Sequence, residues 1–260
     1  MRLPFLAAAL LALSLSACAT TSRDRELARV QYDLAVQAQR AGDARAALLE
    51  IEKAVEQDPE DARARNFHAL VLHLHFNKLE EAIREYRQAV QLDPRYSEAK
   101  LNLGAALMAA GRYDEALAPL DEARRDLVFR DAHLAEGNFG WCKYRLGDEA
   151  AALEHLTAAV TMAPGFCLGF RNLAELYEAR GELGAALEHL DRYARACPAE
   201  ADADLRRGLV LLKQGDGCGA RDAFAACVGK AKGGRVADEC GKQAERAGCT
   251  ADDVEIVIEE

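Results

Sequence analysis

At 260 residues, with half of them apolar and 29% charged, the chain is long enough to bury a continuous core, which excludes disorder for most of it. A formal net charge of −10 argues against a phosphate-binding surface, because nucleic-acid binding depends on clustered Lys and Arg that displace counterions. Beyond the first twenty residues nothing stays apolar for the roughly 18 positions a membrane-crossing helix needs, so membrane contact is expected only at the amino terminus.

That terminus reads as an export signal over residues 1–17: Arg2 supplies the positive charge, and Phe5 to Leu15 an apolar run too short to span. It ends in Leu15-Ser16-Ala17-Cys18, which resembles the lipobox of bacterial lipoproteins. The resemblance implies a diacylglycerol on the Cys18 thiol, a further acyl chain on the amino group freed by cleavage, and Cys18 as residue one of the mature chain. Several acyl chains, at ~0.8 kcal/mol per buried methylene, anchor stably where one is marginal. Residues 18–27 are then anchor and short tether. Ala19 after the Cys, by resemblance to enterobacterial sorting, favours the outer membrane, with the body facing the periplasm.

The body, 28–232, repeats with a period close to 34, marked by Pro59, Pro94, Pro164 and Pro198. Ahead of them lie AALLEIEKAVEQDP, EAIREYRQAVQLDP, AALEHLTAAVTMAP and AALEHLDRYARACP; EALAPLDEARRDL and ARDAFAACVGKAK keep the phrase without the proline, making about six units. A first helix carries Leu or Phe beside a small residue (Leu34-Ala35, Leu103-Gly104, Phe139-Gly140, Leu173-Ala174). It stops at Gly42, Gly111, Gly147, Gly181 or Gly215, where a left-handed residue closes the last turn. A second helix places Ala, a large apolar residue, then Ala on one face, as in Ala47, Ile51 and Ala54, which lets two helix axes approach closely. Proline ends it, because the residue before proline is pushed out of helical geometry. Two departures stand out: the second unit lacks its turn glycine around His75-Phe76-Asn77, and the third runs on through Leu127-Val128-Phe129, which is expected to bend the array.

This grid resembles the tetratricopeptide repeat family. The resemblance implies an all-α, right-handed superhelix (solenoid) of about six helical hairpins whose first helices line a concave binding face. Carried over by position, the groove comprises Tyr32, Val36 and Arg40, then Asn66, Leu70 and His73, then Leu101, Ala105 and Met108. Further along it comprises Trp141 and Tyr144, then Arg171 and Glu175, with Trp141 the expected anchor.

Nothing in the sequence assembles a catalytic constellation: no phosphate loop, nucleophile elbow or zincin motif is present, so a binding protein without cofactor, metal or small-molecule substrate is expected. His68, His73 and His75 form a short cluster without a carboxylate or Cys at i+4 to complete a metal site. His155 and His189 share one repeat position and are expected on a solvated face.

Gly233-Gly234 breaks the sixth unit, and 233–260 reads as a capping helix, Arg235 to Ala247, with an acidic tail. Besides Cys18 there are seven cysteines, and export to an oxidising compartment favours disulfides. If the cap packs antiparallel to the helix of Phe224, Cys218 with Cys249 and Cys227 with Cys240 share one register. Cys218 and Cys227 are nine residues apart, which puts them on opposite faces of one helix, so Cys218 is expected at the turn. Cys167 with Cys197 is the next pairing, leaving Cys142 a buried thiol.

A lipobox, a short tether and six repeats together resemble the PilF, PilW and Tgl group of type IV pilus biogenesis lipoproteins. That resemblance implies a pilotin, which helps an outer-membrane secretin subunit to localise and assemble. The alternative is a general cell-envelope scaffold for other periplasmic or membrane proteins.

Overall fold

The computed structural model describes residues 20–249; the expected signal segment, Cys18 and the acidic tail lie outside them. Thirteen α-helices and no strand occur among the described residues, and no described helix is long and apolar enough to cross a membrane. The chain forms two compact units, Met1–Ala106 and Leu107–Glu260. Unit 1 holds α1 (Ser22–Arg40), α2 (Ala44–Gln57), α3 (Ala62–Phe76) and α4 (Leu79–Leu92), and α5 (Ser97–Ala109) crosses the boundary. Unit 2 continues with α6 (Tyr113–Arg124), α7 (Ala132–Arg145), α8 (Glu149–Met162) and α9 (Cys167–Ala179). It ends with α10 (Leu183–Ala196), α11 (Ala201–Gln214), α12 (Gly217–Lys230) and α13 (Gly234–Arg246).

Local chemistry explains where the hairpins turn. Gly42, Gly111, Gly147, Gly181 and Gly215 all have φ between 73° and 86°, the left-handed region that costs an L side chain about 1–2 kcal/mol. In the second hairpin Asn77 takes that place with φ 53°, the lone positive-φ residue other than glycine among those described. Asn tolerates the region because its short polar side chain bonds locally. Each of these six residues stands five positions before the first buried alanine of the following helix, from Gly42 and Ala47 to Gly215 and Ala220, so Asn77 preserves the register that the missing glycine would break. Where the turn reads Gly-Asp, the Asp carboxylate caps the second helix by accepting from the backbone N–H of Ala46, Ala151 or Gly219. At the far end, Asp58, Asp93, Ala163 and Cys197, each before a proline, leave the helix with φ near −130°.

The small–large–small face is the core. Ala47, Ile51 and Ala54 are fully buried, as are Ala82, Tyr86 and Ala89, Ala116, Leu120 and Ala123, and Ala152, Leu156 and Ala159. Gly140 of α7 shows how close the helices come: a Cβ there would stand 3.0 Å from the backbone nitrogen of Leu156. The extra residues of the third hairpin form the α6–α7 turn, which leaves Leu127 (101%) and Val128 (91%) outside any packing.

The cysteines pair as Cys167–Cys197, Cys218–Cys249 and Cys227–Cys240, with Cys142 a buried thiol. Cys218 is not in the turn, as expected from its spacing, but in the first turn of α12. Opposite faces are reconciled by the partner: Cys249 lies beyond the end of α13, so the chain after the helix reaches the second face of α12.

Candidate functional site

In unit 1 the first-helix residues proposed from the sequence divide into two kinds. Tyr32 of α1 packs edge-on against Phe67 of α3 at 5.7 Å, with the Arg63 guanidinium 5.8 Å from its ring centre. Burial raises the Tyr32 phenol above its ordinary range. Val36, Leu70 and Ala105 are half-buried and Arg40 is exposed. Asn66 and Leu101, by contrast, are interior, at 3% and 8% exposure, and are corrected from groove to packing. Asn66 Nδ2 donates to Tyr96 Oη (3.2 Å) and its Oδ1 accepts from Asn102 Nδ2 (3.1 Å), so its amide joins helices and is not offered to a ligand. The Tyr96 phenol is pushed up to about 12, chiefly by burial.

The histidine cluster is drawn apart. His68 Nδ1 faces Glu85 Oε2 at 3.8 Å, His75 Nε2 lies 2.8 Å from Gln39 Nε2, and His73 is half-buried, its pKa lowered by desolvation. Among the described residues no group of three His, Cys, Asp or Glu is placed to hold a metal ion.

In unit 2 Met108 is half-buried on α5, and Trp141 and Tyr144 of α7 lie ring to ring at 5.1 Å, both partly exposed. Burial, and then the negative charge of Glu175, raises the Tyr144 phenol above its ordinary range. Arg171 and Glu175 are tied up: Arg171 Nε stands 3.5 Å from Asp202 Oδ2, Arg206 Nε donates to the same oxygen at 2.9 Å, and Arg206 Nη1 is 3.6 Å from Glu175 Oε2. The face therefore presents an aromatic pair beside an internally neutralised lattice of charge, which favours a partner that brings apolar and hydrogen-bonding groups over a strongly charged one.

The expectation for His155 and His189 is overturned. His155 Nδ1 lies 2.7 Å from Glu136 Oε1, and its ring meets Phe139 edge-on at 4.8 Å. Glu136, 8% exposed, also accepts from Arg124 Nη1 at 3.3 Å, and the Arg124 guanidinium covers Phe139 at 4.6 Å. A groove of about 560 Å³ over this cluster is lined also by Leu117, Ala118 and Ala151 and by Arg125 and Lys143. His189 stacks on Tyr177 at 5.2 Å, and burial, then Arg192, lowers its pKa. Both positions lie beside a fully buried leucine, Leu156 or Leu190, which is the sequence signal that they border the core.

A tetratricopeptide repeat model matches residues 32–86, 137–201 and 171–235, and a second of the same description matches 73–136. The chain is 29% identical over 199 residues to the type IV pilus assembly protein PilF of Pseudomonas aeruginosa, covering 72% of this chain and 77% of that one. The crystal structure of PilW, a widely conserved type IV pilus biogenesis factor, aligns with a TM-score of 0.73 at 24% identity, over 81% of this chain and 96% of that one. A structure of Pseudomonas aeruginosa PilF aligns at 0.68 and 22% identity, over 85% and 100%. With the repeat model spanning more than half the sequence and the hairpins in register, the chain belongs to the tetratricopeptide repeat family.

Proposed function

We propose that the protein is a non-enzymatic scaffold, anchored in the outer membrane through lipid on Cys18, that binds a secretin subunit and assists assembly or localisation of the type IV pilus secretin. The observation that carries this reading is the 29% identity to PilF across most of both chains, on a fold shared with PilW. The exposed part of Trp141 and Tyr144 supplies the kind of rigid aromatic surface on which binding energy concentrates, and a membrane tether raises local concentration without new contacts.

The test is a deletion strain scored for heat-stable secretin multimers and surface pili, complemented with wild type, Cys18→Ala and Trp141→Ala. Multimers are expected to be lost in the deletion and restored by wild type. Trp141→Ala is expected to weaken binding by roughly 2 kcal/mol with helicity unchanged. Mass spectrometry of the mature amino terminus is expected to find an acylated Cys18. Normal multimers and pili in the deletion would end the pilotin reading in favour of a general envelope scaffold.

A further inference from the structure

One position separates α1 from the first helices of the hairpins that follow it. Five residues before the small residue that each keeps near its middle (Ala35 in α1), the later helices have Ala64, Ala99, Ala135, Gly169 and Ala203, all buried. In unit 2 the reason is the close approach of the preceding second helix: at Gly169 of α9 even a Cβ would stand 2.6 Å from the Val160 side chain of α8. α1 has Val30 at this position, 47% exposed, with Leu27 and Leu34 each 42% exposed. Their spacing of three and four residues puts the three on one stripe of the helix. At Val30 the stripe is too broad for the contact that joins hairpins, so it is not shaped to receive another hairpin, whether of this chain or of a second copy.

What can lie against α1 is set by the chain ahead of it. Cys18 is four residues before Ser22, where α1 begins, and at ~3.5 Å per residue the thiol stands no more than about 14 Å from it. A lipid on that thiol brings a bilayer surface to the same end of the helix. The charge of α1 suits anionic headgroups: in a chain of net charge −10 it has four arginines against three acids, with Arg23, Arg25 and Arg29 exposed in the half next to the tether. Asp24 is engaged in the capping box with Thr21, and Glu26 and Asp33 border the stripe. Exposed aliphatics with arginines that reach phosphate while their stems cover apolar surface are what hold an amphipathic helix in a headgroup layer.

We propose that α1 is a second membrane contact: it lies on the lipid surface through Leu27, Val30 and Leu34, with Arg23, Arg25 and Arg29 on the phosphates of anionic lipid. This rests on the anchor at Cys18 proposed above. Three aliphatics alone hold a protein to lipid weakly, but the tether makes their contact intramolecular, so a weak face is enough. Acyl chain and helix face together give unit 1 one orientation at the bilayer, where a short leash alone leaves many.

In the test, the mature chain from Cys18, made without its signal, is joined through that thiol to a maleimide phospholipid in vesicles of phosphatidylethanolamine and phosphatidylglycerol. The coupling is directed to Cys18, because six other cysteines are bridged and Cys142 is buried. Since the link is chemical, the vesicle result judges the face of α1 alone; failure of the natural anchor is read separately, from the mass of the native amino terminus. On a Trp141→Phe background, the indole of Val30→Trp is expected to lose emission by about twofold or more when the acyl chains are brominated. Trp141 of the parent chain is expected to keep its emission, and adding Leu27→Glu with Leu34→Glu is expected to abolish the quenching. In the unsubstituted protein, amides of α1 are expected to exchange about threefold or more slowly once tethered. Absence of quenching at Val30→Trp overturns the contact, as does equal quenching at Trp141 or quenching that survives the two Glu substitutions. Protection of α1 that rises with protein concentration in the absence of vesicles overturns it in favour of a second copy.

Discussion

Both units bury polar side chains in their first helices, and they do so with different chemistry. In unit 1 Asn66 is a neutral relay between Tyr96 and Asn102; in unit 2 Glu136 is a carboxylate set between Arg124 and His155. A neutral amide fixes geometry with little regard for salt, whereas a buried carboxylate depends on the Arg124 guanidinium and the His155 ring beside it to offset its lost hydration. One repeat pattern thus carries two kinds of polar joint, and the charged one borders a groove.

The sharpest way to break this contrast is Glu136→Ala, which strands Arg124 and His155 and is expected to cost about 3 kcal/mol, read as faster exchange of α7 and α8 amides. Asn66→Ala comes next, at about 1–3 kcal/mol, since it leaves the Tyr96 hydroxyl and the Asn102 amide each short of a partner. Raising salt is expected to shift the cost of Glu136→Ala and not that of Asn66→Ala; equal shifts would erase the distinction. At the turns Gly111→Ala is expected to lose about 1 kcal/mol, and Asn77→Gly to change stability by a few tenths, because Asn already tolerates φ 53°. Thermal melts of the two variants settle the order.

Acid acts on both units through histidines that burial keeps neutral. His73 and His189 have folded pKa values below the ordinary 6.5, so their contribution is complete above that value. As pH falls through 6.5 the unfolded chain takes up protons first, and stability declines until the lowered folded values are passed. Urea midpoints between pH 7 and 5 are expected to fall less in His189→Phe than in wild type, and equal falls would show that desolvation of His189 is not the cause.

The hairpins were legible because their signals are local and recur: a left-handed residue, an alanine five positions on, a proline at the exit. The family followed from the same grid. Asn66, Leu101, Glu136 and His155 were not legible, because periodicity assigns a residue to a face of its helix without saying whether the next hairpin covers that face. Asn66 stands one turn ahead of the half-buried Leu70, and the two look alike in sequence although one is sealed and the other open. The α6–α7 turn was visible as an insertion, but nothing in Leu127-Val128 announces that both aliphatics stay outside.

Cys142 is the described cysteine that no bridge consumes, and burial pushes its thiol up to about 12. At neutral pH it is shut away as an uncharged thiol, so an alkylating reagent meets it only when the helices around it part. The molecule therefore carries its own clock: the rate at which Cys142 becomes labelled, set against that of a free thiol, counts the openings of unit 2 under native conditions, with no probe added.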